Sequence, residues 1–116
     1  MKLGEHILLD FSCSNTENIL NNLDEIEIIS LKLINILNLK KLNCIKHKFK
    51  PYGLSLVLLL EESHLSIHTW PEFNSACIDI FSCNKKGINK QLVEEYLNSK
   101  FEIKNIVIKL INREIN

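Results

Sequence analysis

Two periods run through the apolar positions of this chain, and between them they predict eight elements. Ile7, Leu9 and Phe11 alternate with His6, Leu8 and Asp10, so residues 3–11 read as a strand with one face more buried. Residues 12–22, rich in Ser and Asn, read as a loop or a short helical turn. From Asp24, taken as an N-cap, Ile26, Ile29, Leu33, Ile36 and Leu37 recur at steps of three and four, the period of an amphipathic helix ending near Asn38. Residues 42–49 alternate again, and Pro51-Tyr52-Gly53 breaks the run as a hairpin turn. Residues 54–61 form a third strand, with Leu54, Leu56, Leu58 and Leu60 on one face. Extrapolated along the chain, its parity places Ser55 and Ser63 on a common face.

Residues 64–70 are rich in β-favouring side chains and stop at Pro71. A fifth strand over 76–81 leads to Cys83 and the loop Asn84-Lys85-Lys86-Gly87. A helix capped by Asn89 runs to Phe101 on Leu92, Val93, Tyr96 and Leu97, and residues 103–110 close the chain as a strand. The order is strand, helix, four strands, helix, strand. That order predicts an α+β fold: a two-layer α/β sandwich whose mostly antiparallel sheet carries both helices on one face. The other sheet face is then left for a partner.

Length and composition narrow the class. At 116 residues with 46% hydrophobic and 24% charged positions, residues 1–116 read as a single globular domain. Fourteen basic and fourteen acidic residues cancel, which removes the electrostatic footprint of a nucleic-acid binder. The longest apolar run is far short of the ~20 residues a membrane span needs, and the opening Met1-Lys2-Leu3-Gly4-Glu5-His6 is no secretory signal. A cytoplasmic protein is the expectation. Cys13, Cys44, Cys77 and Cys83 show no CxxC spacing and read as free thiols.

Chemistry concentrates in residues 61–72, which hold two of the four histidines, the single tryptophan and three carboxylates. His64 and His68 stand four apart, a metal-ligand spacing if the segment is helical; the β-branched and aromatic neighbours favour a strand, and no third ligand stands at a recognisable spacing, so no metal is assigned. Cys83 with His68 would make a nucleophile and base pair, a signal that any spacing can produce. From the residues alone these readings stay open beside the plainer ones of a strand-end thiol and a hydrogen-bonded histidine.

The run Glu62-Ser63-His64-Leu65-Ser66-Ile67-His68-Thr69-Trp70-Pro71-Glu72 resembles the self-processing site of the short prokaryotic S-adenosylmethionine decarboxylases. The resemblance extends from Gly4-Glu5-His6 through Phe49-Lys50-Pro51-Tyr52-Gly53-Leu54-Ser55 to Asp79-Ile80-Phe81-Ser82-Cys83, nearly the whole chain. It implies a zymogen that cuts itself between Glu62 and Ser63, leaving residues 1–62 as the beta chain and residues 63–116 as the alpha chain. Ser63 would become a covalent pyruvoyl group, an electron sink able to accept the carbanion left by decarboxylation. His68 would drive the elimination that follows the first ester, and Ser55 would orient the scissile segment.

In turnover, the resemblance implies a Schiff base between pyruvoyl group and substrate, with Cys83 returning a proton to Cα. A thiol suits that task because it is protonated yet able to donate near neutral pH. The product is the aminopropyl donor for spermidine biosynthesis. Phe49 and Trp70 match aromatics that flank the adenine, and Glu72 matches the carboxylate that holds ribose hydroxyls. The two cleaved chains would stay associated, and processed protomers would pair as a homodimer. His6, His64 and Ser66 carry no assigned role beyond structural hydrogen bonding.

Three departures stand out: Phe73-Asn74-Ser75 where relatives often carry Tyr-Gly, a more basic loop after Cys83, and Glu61 where a small residue is usual. Two other functions share the pattern, a sister pyruvoyl-dependent arginine decarboxylase and an unprocessed, non-catalytic regulatory subunit. Retention of Phe49, Trp70 and Glu72 favours the nucleoside substrate, and the complete set Ser63, His68 and Cys83 favours an enzyme.

Overall fold

The computed structural model describes residues 1–14 and 18–116. Six strands and two helices appear in the predicted order: β1 (Lys2–Cys13), α1 (Leu23–Ile36), β2 (Lys41–Lys48), β3 (Leu54–Leu60), β4 (Ser63–Trp70), β5 (Ser75–Ser82), α2 (Lys90–Lys100) and β6 (Ile103–Glu114). The strands form one sheet in the order β2-β3-β4-β5-β1-β6, and every neighbouring pair is antiparallel. The α+β two-layer architecture expected from the alternation is therefore the observed one. Within the 12–22 stretch a short 3-10 turn spans Ile19–Asn21, while residues 15–17 lie outside the described residues.

Alternation sorts the side chains into two faces. Leu54, Leu56, Leu58 and Leu60 of β3, Leu65 and Ile67 of β4, Ile78 and Ile80 of β5, and Ile7 and Leu9 of β1 are all buried under the helices. Ile26, Ile29 and Leu33 of α1 and Val93 and Leu97 of α2 close that core from above. Each such side chain contributes about 1.5–3 kcal/mol of transfer free energy, which is why both helices dock through one stripe. Tyr96 ties the helices together by donating its hydroxyl to the Ile29 carbonyl at 2.8 Å.

The first helix starts earlier than Asp24 suggests. Its N-cap is Asn22, whose side chain accepts from the Glu25 amide at 3.1 Å, and Asp24 instead sits in the first turn, where its charge complements the helix N-terminus. Asn89 caps α2 as expected, accepting from the Leu92 amide at 3.0 Å.

Among the described residues, the opposite face of the sheet carries no helix. Ile45 of β2, Val57 and Leu59 of β3 and Val107 and Ile111 of β6 are exposed there beside polar residues. Gly53, in the β2–β3 turn, has φ +96, and a Cβ on it would stand 3.0 Å from the Thr69 carbonyl oxygen. Glycine is required at that position by both backbone and space. Thr69 and Asn21 fasten the same end: Thr69 Oγ1 donates to the Leu20 carbonyl and accepts from the Leu54 amide, and Asn21 Oδ1 accepts from the Gly53 amide.

Candidate active site

The residues singled out in the sequence fall into two groups, placed near opposite ends of β4. Ser63 opens β4 directly after the turn Glu61-Glu62, in which Glu62 adopts φ 57. A left-handed conformation at a non-glycine residue costs about 1–2 kcal/mol, so the Glu62–Ser63 peptide is held in a strained turn. Ser63 pairs with Leu60 and shares its face, so the hydroxyl points into the helix layer and is only 7% exposed. Its Oγ accepts a long hydrogen bond, 3.4 Å, from the Cys83 amide, which brings the loop after β5 against the turn.

A cleft of about 550 Å³ opens over this pair, lined by Asn38, Leu39 and Lys40 from the α1–β2 connection together with Glu62, Ser63 and Cys83. Nothing in the local pattern marks residues 38–40 as neighbours of Ser63. Only the docking of α1 places them there. Beyond Cys83 the chain is fastened back onto β1, where Glu5 Oε1 accepts from the Ile88 amide at 2.7 Å. Glu5 Oε2 accepts from Lys2 Nζ, also at 2.7 Å, and these two bonds, the lysine's first, hold the Glu5 carboxyl below the usual carboxylate range.

Ser55 and His68 form the second group. They are directly paired across β3 and β4, and Ser55 Oγ is hydrogen-bonded to His68 Nδ1 at 2.7 Å. Both project onto the open face. The common face expected for Ser55 and Ser63 is thus incorrect: the two-residue turn pairs odd positions of β3 with even positions of β4, so Ser55 faces out while Ser63 faces in. Five residue-to-residue steps of strand also separate Ser63 from His68, roughly 16 Å at about 3.3 Å each. Within one chain the structure therefore does not bring His68 to Ser63.

The three residues matched to substrate binding cluster at the His68 end. Phe49 and Trp70 are 48% and 41% exposed, with Phe49 packed edge-on against His47 at 4.7 Å between ring centroids. His47 pairs with Ser55, so one row across β2, β3 and β4 reads His47, Ser55, His68. Glu72 lies in the 3-10 turn Pro71–Phe73 just beyond Trp70, lining a separate cavity of about 420 Å³ with Tyr52 and Asn21. Cys77, on β5, lies across from His68 on one side and Asp10 on the other; burial first and then the Asp10 carboxylate push its thiol up to about 11. Cys77 is therefore a poor nucleophile.

His64 and His68 lie on a strand, so the helical metal-ligand spacing does not form. His64 instead meets His6 and Asp79, a grouping that the sequence reading missed because it joins β4, β5 and β1, and β1 enters the sheet from the far end of the chain.

Residues 5–114 match the family model described as S-adenosylmethionine decarboxylase. Similar chains include proteins named S-adenosylmethionine decarboxylase proenzyme from Thermosipho melanesiensis (42% identical, 86% of this chain and 87% of that one) and Clostridium kluyveri (39% identical, 98% and 89%). A crystal structure of the adenosylmethionine decarboxylase from Aquifex aeolicus superposes with a TM-score of 0.83 at 27% identity, covering 99% of this chain and 93% of that one. The Trypanosoma brucei AdoMetDC-delta26 monomer shares the fold at a TM-score of 0.63 and 12% identity, with this chain spanning 44% of its length.

Proposed function

The chain belongs to the S-adenosylmethionine decarboxylase family, and from that premise we propose that it cleaves itself between Glu62 and Ser63 and then decarboxylates S-adenosylmethionine, supplying the aminopropyl donor for spermidine biosynthesis. The observation that carries this reading is the strained turn at the scissile bond: Glu62 at φ 57 followed by a buried serine whose Oγ receives a backbone amide. Ser63 Oγ attacks the Glu62 carbonyl, the Glu62–Ser63 amide gives way to an ester, and release of the left-handed turn favours the product side. Loss of the Ser63 α-proton expels the Glu62 carboxylate and leaves dehydroalanine. Water then converts this to a pyruvoyl end with release of ammonia.

The residues present fit that group. The Cys83 amide, already directed at Ser63 Oγ, is positioned to hold an oxygen there, and the cleft above it is bounded by the α1–β2 connection. A pyruvoyl group supplies a conjugated carbonyl that delocalises the electrons freed by loss of carbon dioxide. Cys83 stands beside this position and delivers the proton that Cα requires. At the His68 end, and so brought to the pyruvoyl end of a second copy rather than of their own chain, Phe49 and Trp70 stack on adenine and face the sulfonium, and Glu72 accepts from the ribose hydroxyls.

The separation of the two groups defines the functional unit. Ser55 and His68 cannot serve Ser63 of their own chain, yet Ser55, half-buried, and His68, exposed, lie on a sheet face that also presents Ile45, Val57, Leu59, Val107 and Ile111. A second copy packed sheet to sheet covers this apolar face and supplies His68 of the partner subunit as the base for Ser63. Residues 1–62 and 63–116 stay associated after cleavage because β3 and β4, one from each piece, are paired along their whole lengths.

Intact-mass measurement tests the reading directly. Wild-type protein yields two fragments split at 62/63, the second blocked at its first residue, whereas Ser63→Ala stays a single 13.5 kDa chain. Release of carbon dioxide from carboxyl-labelled S-adenosylmethionine accompanies cleavage. Turnover of arginine alone, or a single uncleaved wild-type chain inert to carbonyl reagents, overturns it in favour of the sister decarboxylase or a regulatory subunit respectively.

A further inference from the structure

The open sheet face holds a second constellation that the decarboxylase reading does not use. His6 on β1, Phe81 on β5 and His64 on β4 stand directly opposite one another across three adjacent strands, and Asp79 is two residues from Phe81 on the same face. His6 Nε2 lies 3.5 Å and His64 Nε2 3.3 Å from Asp79 Oδ1, and all three ligand atoms fall within 4.8 Å of one another. Among the described residues, the buried atoms His6 Nε2 and Asp79 Oδ1 meet no partner in hydrogen-bond geometry. At 3.5 Å the contact between these two atoms is too long for a good hydrogen bond, so both stay under-satisfied until something bridges them.

We propose that His6, His64 and Asp79 bind one divalent transition-metal ion of the zinc, cobalt or nickel type. Tetrahedral coordination with arms of about 2.0–2.1 Å separates neighbouring ligand atoms by about 3.3–3.5 Å, the spacing of each histidine from Asp79. Two imidazoles and one carboxylate select such ions over calcium or magnesium, which take oxygen donors. The ligands are held in place before any ion arrives. Phe81 packs between the histidines, with His64 stacked on its ring at 5.9 Å and His6 edge-on at 5.8 Å. A cavity of about 520 Å³ lined by His64, Phe81 and Arg113 leaves the fourth position open to water or a small anion.

Arg113 sets the affinity. Its Nη1 is 3.1 Å from His6 Nδ1, so in the metal-free state the Arg113 N–H donates and His6 carries its proton on Nε2. An ion on Nε2 moves that proton to Nδ1, where it would oppose Arg113. The guanidinium must then give up its bond to His6, keeping only the Phe81 ring over which its carbon already stands at 5.8 Å. Removing the Arg113 charge therefore strengthens binding, the reverse of what a supporting residue would do.

The test uses full-length protein cleared of metal with a chelator and titrated with cobalt(II). The expected spectrum is a four- or five-coordinate d–d band at one ion per chain, without thiolate charge transfer in the near ultraviolet, and zinc abolishes it. Asp79→Asn and His64→Gln each weaken binding by at least about tenfold, Arg113→Gln tightens it, and His47→Gln leaves it unchanged. Absence of binding, a thiolate band, or an affinity indifferent to Asp79→Asn overturns the proposal. So does weaker binding in Arg113→Gln. None of these readouts depends on cleavage or on decarboxylation, and Ser63→Ala protein serves equally well.

Discussion

At its first residue β4 turns Ser63 inward, under α1, into a cleft closed by the Cys83 loop; at its sixth it turns His68 outward, onto a face with no helix, against Ser55. The inner end has what self-cleavage requires of a nucleophile: a strained preceding residue and a backbone donor. The outer end has an imidazole oriented by a hydroxyl and flanked by exposed aromatics. Each end is an incomplete site, and the pleat of one strand keeps them apart. In the proposed dimer, two chains complete both at once, related so that each outer end meets the other's inner end.

Cross-complementation gives the largest effect and strikes at this comparison first. On the proposed mechanism Ser63→Ala cannot be cut and His68→Ala lacks the base, so neither should process alone. Co-expressed at equal levels, the His68→Ala chain should be cleaved in mixed dimers, about half of its copies if assembly is random, while the Ser63→Ala chain stays whole. Gel separation of differently tagged chains reads the result. If neither chain is cut, the two ends do not act across a pair, and the division into half-sites fails.

A weaker perturbation separates the ends without touching either. Leu59 is 53% exposed on the open face, so Leu59→Lys leaves the core intact while placing a charge where the second copy must pack. Sedimentation should show dimerisation weakened by about 100-fold, as for loss of a buried hydrophobic anchor, with processing slowed in proportion to the monomer present. A monomer that cleaves at the wild-type rate would break the link between assembly and catalysis.

What the sequence showed of this arrangement was what a single strand or helix can show. Alternation located all six strands, and the three-four repeat located both helices, because burial on one face imposes those periods locally. The cap of α1 shifted by two residues because Asn22 and Asp24 are both good caps, and only the chain's entry angle from the Ile19–Asn21 turn chooses between them. The larger miss, a common face for Ser55 and Ser63, has a plain cause. Parity holds along a strand and is reset at a turn, and the Glu61-Glu62 turn sets it the opposite way. His6, His64 and Asp79 were out of reach for a different reason. Their meeting depends on β1 lying beside β5, a long-range pairing that no local pattern encodes.

The inner end also depends on a clamp whose removal should give the smallest effect. Glu5 bonds the Ile88 amide and Lys2, and so holds the loop after Cys83 down on β1, where the Gly87 Cα stands close enough that a Cβ would meet Glu5 Oε1 at 2.6 Å. Because these bonds lower the folded-state pKa of Glu5, their stabilisation is present above the ordinary glutamate range and is lost as pH falls through the depressed folded value. Glu5→Gln keeps an oxygen for the Ile88 amide but loses the charge, so its cost should be about 1 kcal/mol or less at pH 7, a shift of a few degrees in Tm. That difference should shrink towards zero as pH falls through the depressed folded value, below which both proteins are uncharged at this position. Decarboxylation should fall more than self-cleavage, because the Cys83 thiol follows its loop while Ser63 is fixed by β4. Equal losses in the two would mean that the clamp merely supports the fold at this end of the sheet and does not position Cys83.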